Sequence, residues 1–149
     1  RTWLEFGSMG WAIGASIGTA FACPGDPVVV FCGDGAFLMS GQEITVALEH
    51  HLNVVFIILN DSSLGMVKHG QKLSGAEEIG SSLPKVNFAK MARSMGITAY
   101  TIRSTQDLLE LPRETIINSN APALLDVHID PNEVPPIDLR TNAIKQKEV

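Results

Sequence analysis

The chain has 149 residues, enough for one domain with its own core and too few for two ordinary ones. Apolar residues make up 45%, which excludes a disordered chain, and a net charge of −5 argues against nucleic acid, whose phosphates need a basic stripe. One phosphorylated ligand stays possible, because backbone N–H groups and a metal hold an anion without Lys or Arg.

Arg1 is followed almost at once by the glycine-rich Gly7-Ser8-Met9-Gly10, so the chain reads as an internal piece of a longer polypeptide. Trp11 to Ala22 is expected to be a helix packed through Gly14, Ala15, Gly18 and Ala22. The apolar stretch breaks at Pro24-Gly25-Asp26-Pro27, short of the ~20 residues of a membrane span. Pro27 to Cys32 is a continuous β-branched run, the mark of a strand buried on both faces, and Gly33-Asp34-Gly35 ends it. A helix is expected from about Gly41 to His50, then a second buried strand from Val54 to Leu59, ending at Asn60-Asp61. Gly65 to Gln71 suits a short helix, and the polar Lys72 to Pro84 a loop.

Asn87 caps a helix whose Phe88, Met91, Ala92 and Met95 share one face, with Gly96 as its stop. Thr98 to Ile102 is a third strand. Ser104 caps another helical stretch that Pro112 interrupts and restarts, and Ala123 to Ile129 is the last strand. Residues 1–130 thus form one domain, and 131–149, with Pro131, Pro135 and Pro136, an extended tail. Cys23 and Cys32 match no metal or disulfide spacing and read as free thiols, which suits a cytoplasmic setting.

Strands alternating with helices give an α/β fold, a three-layer sandwich around a mainly parallel sheet. Ligands of such sheets sit outside the carboxyl ends of the strands, where both Gly33-Asp34-Gly35 and Asn60-Asp61 fall. Glycines there let a ligand approach the backbone. A carboxylate beside an anion makes sense if a divalent cation sits between them, as Mg²⁺ does between carboxylates and phosphates. Asn60, Asp61, Ser62 and Ser63 supply further oxygens from the neighbouring strand end.

Gly33-Asp34-Gly35, with residues 36–59 intervening before Asn60-Asp61, resembles the signature of thiamine-diphosphate enzymes. Gly7-Ser8-Met9-Gly10 and Leu64-Gly65-Met66-Val67 resemble the acetolactate synthase and 2-oxo-acid decarboxylase branch, in its C-terminal diphosphate-binding domain. The resemblance implies that Asp34, Asp61 and the Ser63 carbonyl bind Mg²⁺. It places Gly33, Gly35, Ala36, Gly65 and Met66 along the diphosphate. Ser8 falls in the same upstream segment, where the Gly7 carbonyl would receive the aminopyrimidine N–H and Met9 would prop thiamine into its bent shape. That bend makes deprotonation of the reactive carbon nearly intramolecular.

Two departures stand out: Asp61 replaces the family's usual second Asn, and Lys68-His69-Gly70-Gln71 lacks the tryptophan typical of acetolactate synthases. The catalytic glutamate of the family belongs to a pyrimidine-binding domain, usually on a partner subunit, so this chain alone is expected to be inactive. The resemblance implies a homodimer or homotetramer, a small 2-oxo acid substrate and carboligation of pyruvate with loss of CO₂, and leaves FAD open in the full enzyme. The alternatives are a benzoylformate- or pyruvate-decarboxylase-like enzyme and a non-catalytic nucleotide-binding module, although the GxGxxG fingerprint is absent. Glu43 and Glu49 read as structural or solvated, Lys68 and Lys72 as solvated charges with a substrate carboxylate as the alternative, His50 and His51 as a helix end, His128 as structural, and His69 as a cleft-wall residue with a substrate-facing role as the alternative.

Overall fold

The computed structural model describes residues 7–134, so residues 135–149 of the expected tail lie outside the described residues. Four strands, β1 (Val28–Gly33), β2 (Val54–Asn60), β3 (Thr98–Ile102) and β4 (Ala123–His128), form one sheet in the order β1-β2-β4-β3. Every pairing is parallel, with Gly33 opposite Leu59 and Asn60 opposite His128. That register brings the carboxyl ends of β1, β2 and β4 level.

One face carries the larger core. Val30, Cys32, Phe56, Ile58, Ala99 and Leu124 point into it from the strands. The helices α1 (Trp11–Ala22), α2 (Asp34–Ser40), α3 (Ile44–Glu49) and α5 (Phe88–Ser94) supply Ile13, Phe37, Ile44 and Phe88. Phe37 and Phe88 meet edge to face at 5.3 Å. The other face buries Val55, Ile102, Ala123 and Leu125 against Leu111 and Ile116. Leu111 and Ile116 lie on and beside α7 (Arg113–Ile117), which follows α6 (Thr105–Leu109). Helices on both faces make the three-layer arrangement.

The expected caps are present. Asn87 accepts the Lys90 N–H, Ser104 and Asp107 form a capping box, and Gly96 takes φ 86° after α5. Pro112 sits at the N-cap of α7, one position before the first-turn place expected for it.

Three expectations need correction. β1 is buried on one face only: Val29 and Phe31 are 50% and 64% exposed. Their register partners Val55 and Ile57 show that they lie on the α6–α7 face, which those helices cover near β3 and β4. β1 is an edge strand among the described residues, and no described helix reaches its second face. In α1 the small-residue stripe is not packed: Gly14 and Gly18 face open space, and Ile13, Ser16, Ile17 and Ala20 make the contact instead. The helix after β1 begins at Asp34 itself, passes a 3-10 turn at Gly41–Glu43, and ends as α3.

Candidate functional site

The carboxyl ends of β1 and β2 converge on Asp34 and Asp61. Asp34 is the first residue of α2, with Gly33 as N-cap, and is 3% exposed. Its Oδ1 accepts the Gly35 N–H at 2.7 Å. Burial pushes its carboxyl above the ordinary range; the N–H groups of Gly35, Ser62 and Ser63 pull it back, while the charge of Asp61 raises it further. Two neighbouring carboxylates repel unless a proton or a cation lies between them.

Asp61 leaves β2 in a tight turn. Its Oδ1 accepts the Ser63 N–H at 3.0 Å and its Oδ2 the Ser63 hydroxyl at 2.9 Å. Ser62 between them takes φ 57°, a left-handed conformation that a non-glycine residue holds at a cost. Gly65 opens α4 (Gly65–Leu73), and a Cβ there would stand 3.2 Å from Asp61 Oδ2. Ser63 is buried, and its hydroxyl is taken up by Asp61.

Gly35 is closely packed. A Cβ there would lie 2.6 Å from Leu64 Cδ2 and 3.3 Å from both Leu83 Cδ1 and Met9 Cε. Met9 thus reaches Gly35, and its segment is fastened to α2 by the Ser40 hydroxyl, which donates to the Gly10 carbonyl at 3.0 Å. Ala36 is half-buried beside Gly35. Gly7, Ser8 and the side chain of Met66 are exposed, and Gly7 takes φ 58°. The structure brings Met9, Gly33, Asp34, Gly35, Ala36, Asp61, Ser63 and Gly65 to one end of the sheet; Gly7 and Ser8 precede them along the chain.

Asn60 departs from the expected oxygen set. Its Nδ2 donates to Asp126 Oδ1 at 2.8 Å and to the Val86 carbonyl at 3.1 Å, so its amide is committed to the fold. Residues 81–83 also enter the site: the Leu64 N–H donates to the Ser81 carbonyl at 2.7 Å, and the Leu83 N–H to the Ser62 carbonyl at 2.9 Å. Sequence reasoning missed Leu83, Ser40 and Asp126. Only the apolar character of Leu83 inside a polar stretch signalled it. A cleft of about 390 Å³ opens beside the turn, lined by Asp61, Ser63, Lys68, Ser81, Lys85 and Pro131, among others. Lys68 is not free in it, since its Nζ donates to the Pro131 carbonyl at 3.1 Å. His69 is buried, and its Nδ1 has no hydrogen-bond partner among the described residues. Glu43 and Glu49 are exposed, as expected of solvated side chains, and the exposed His50 caps the end of α3 with His51 after it.

Residues 1–127 match the family described as "Thiamine pyrophosphate enzyme, C-terminal TPP binding domain". The chain is 35% identical over 138 residues to acetolactate synthase isozyme 1 large subunit of Escherichia coli K12, covering 89% of this chain and 24% of that protein. It is 37% identical over 148 residues to a probable acetolactate synthase large subunit of Methanocaldococcus jannaschii, covering 93% and 24%. Its fold is similar to benzoylformate decarboxylase from Polynucleobacter necessarius, with TM-score 0.78 at 21% identity, over 87% of this chain and 25% of that one. A thiamine diphosphate-dependent 4-hydroxybenzoylformate decarboxylase of Rhodococcus jostii RHA1 gives TM-score 0.77 at 25% identity, over 84% and 24%. The chain spans about a quarter of the length of these relatives. Its strand-end glycines, acidic pair and matched residues together place it in the thiamine-pyrophosphate enzyme family, as a C-terminal cofactor-binding domain.

Proposed function

We propose that Asp34, Asp61 and the Ser63 carbonyl hold Mg²⁺ against the cofactor's diphosphate, and that the whole protein joins 2-oxo acids in the manner of an acetolactate synthase. One observation carries the metal reading: Asp34 and Asp61 stand at adjacent parallel strand ends, where burial and the nearby Asp61 charge disfavour the Asp34 carboxylate and a divalent cation would stabilise it. Among the described residues no three His, Cys, Asp or Glu side chains cluster as a metal group. A site completed by a carbonyl and by ligand oxygens is what Mg²⁺ prefers.

The residues divide the work. Gly35 and Gly65 keep the backbone open where a side chain would meet Leu64 or Asp61. Gly33, Ala36 and Met66 line the diphosphate end. Met9, held against Gly35, supports the bend of the thiamine, with Gly7 and Ser8 beside the pyrimidine. When bound, thiamine diphosphate supplies the electron sink for carbon–carbon cleavage and ligation. The chain's part is to bind, orient and shield it.

Pyruvate carboligation with loss of CO₂ is favoured by the acetolactate synthase names of relatives at 35–37% identity. Simple decarboxylation is the second reading, supported by the 4-hydroxybenzoylformate decarboxylase at 25% identity and by Lys68-His69-Gly70-Gln71, a stretch without the tryptophan typical of acetolactate synthases. In this reading the catalytic acid comes from a pyrimidine-binding domain of a partner subunit. A homodimer or homotetramer follows from that reading, and FAD stays open for the whole enzyme.

The test is thiamine-diphosphate binding with and without Mg²⁺, followed by product analysis from pyruvate. Acetolactate supports carboligation and free aldehyde the second reading. Cofactor binding indifferent to Mg²⁺ and to Asp34→Ala would overturn the site assignment.

A further inference from the structure

Asp126 lies in the middle of β4 and has 0% exposure. A carboxylate buried that deeply is costly unless donors surround it. Its Oδ1 takes Asn60 Nδ2 at 2.8 Å, and its Oδ2 takes the Phe88 N–H at 3.0 Å and the Ala89 N–H at 3.4 Å. His128 Nε2 stands 3.8 Å from Oδ1. One side chain therefore ties β4 to the end of β2 and to the start of α5.

The tie to β2 falls at the site. Asn60 is the last residue of β2, and Asp61 follows it directly. The two amide donations of Asn60, to Asp126 and to Val86, fix the side chain and with it the backbone from which the Asp61–Ser63 turn departs. That turn has little freedom of its own, since Ser62 sits at φ 57° and Asp61 is bonded within the turn to Ser63. A shift at Asn60 is therefore passed on to the ligands instead of being absorbed.

We propose that Asp126 is a positioning residue for the cation site: acting through Asn60, it fixes the point from which Asp61 and Ser63 reach the metal. The proposal rests on the Mg²⁺ reading above and adds a residue 65 positions from Asp61 that carries no ligand atom itself. Asp126→Asn keeps the shape but replaces an all-acceptor group by an amide, whose NH₂ must face a donor whichever way it turns. Loss of a partner that orients a metal ligand typically weakens metal binding about 10–100-fold.

The experiment measures the Mg²⁺ dissociation constant of the native-length protein by calorimetry, in saturating thiamine diphosphate, together with Tm. Asp126→Asn and Asn60→Ala are expected to raise Kd about tenfold or more. Leu124→Ala, on the same strand and equally buried, controls for lost stability and is expected to lower Tm with Kd unchanged. An unchanged Kd in Asp126→Asn overturns the proposal, as does an equal loss in Leu124→Ala. If Asp126→Asn does not fold, Asn60→Ala decides, because it leaves Asp126 its two backbone donors, and an unchanged Kd there overturns the proposal too. Undiminished Mg²⁺ binding in Asp61→Ala would overturn the cation reading itself, and the proposal with it.

Discussion

Leu64 Cδ2 lies 2.6 Å from where a Cβ on Gly35 would stand, so the first turn of α2 and the turn after β2 touch backbone to side chain. Leu83 and Met9 close the same spot at 3.3 Å. Gly35→Ala must displace three side chain ends from three segments at once. It is expected to cost about 1–3 kcal/mol of stability and to weaken thiamine-diphosphate binding, because Met9 and Leu64 move with it. Thermal denaturation and a cofactor titration check this, and a variant unchanged in both would refute the contact.

Asp34 gives a pH prediction. Its folded carboxyl titrates above the unfolded value of 3.8, so the folded state binds the extra proton. Metal-free stability from this group is therefore highest at low pH and is lost as pH rises from the ordinary carboxylate range through the raised folded value. Asp34→Asn is expected to raise the metal-free Tm at neutral pH by a few degrees while severely weakening the Mg²⁺ response. Tm against pH, with and without Mg²⁺, shows both. A neutral-pH Tm lowered in the Asn variant would contradict the sign.

Much of this site is legible in the amino-acid sequence, for identifiable reasons. Apolar, β-branched runs mark β1 and β2, and the residues that stop them, Gly33-Asp34 and Asn60-Asp61, are the ones that gather at the sheet end. Asn87, Ser104 and Gly96 are local signals and fall where expected. The exposed face of β1 is not legible, because a β-branched run reports a strand and not its place at a sheet edge. The start of α2 is hidden because Asp34 and Gly35 are also turn formers. Asp126 gives no signal because its partners Asn60, Phe88 and Ala89 lie 66, 38 and 37 residues away.

Asp61 should accept its Asn replacement. The turn needs an oxygen for the Ser63 N–H and a second polar group at the Ser63 hydroxyl, and an amide supplies both. Asp61→Asn is expected to fold normally and to bind Mg²⁺ less than about tenfold more weakly, one negative ligand being lost while an oxygen ligand remains. Asp61→Ala loses that oxygen and should bind Mg²⁺ far more weakly still. Titrations with Mg²⁺ and Mn²⁺ order the series; complete inactivity of the Asn variant would mean that the charge itself is required.

Lys72 to Pro84 reads from sequence as one polar loop, and the structure narrows it. Gly70 to Leu73 belong to α4, and Ser81 to Leu83 are bonded to Ser62 and Leu64. Between them Gln71 holds Ile79 at both backbone groups, Nε2 donating to its carbonyl at 3.0 Å and Oε1 accepting its N–H at 3.2 Å. Glu77, Glu78 and Gly80 should exchange amide hydrogens fast and Leu64 and Leu83 slowly. Gln71→Ala should speed exchange at Ile79 without altering Leu83. Uniform protection across 70–84 would refute the division.

The last prediction concerns what covers this domain. Met9, Trp11 and Met66 are 44%, 47% and 50% exposed, and Val29 and Phe31 leave part of the sheet bare. A parallel sheet is ordinarily covered on both faces, and exposed apolar patches of this kind mark association surfaces. The site is one-sided in its chemistry too. In the proposed site Asp34, Asp61 and Ser63 serve the diphosphate end, and every described glutamate is exposed. Bound to this chain alone, thiamine would keep one side in water, where the reactive carbon lacks the water-excluded pocket its chemistry needs. The 149-residue chain is therefore expected to self-associate in sedimentation velocity. It should bind thiamine diphosphate with Mg²⁺ and fail to turn over pyruvate until a pyrimidine-binding domain is added. Turnover by the chain alone as a monomer would sink the idea.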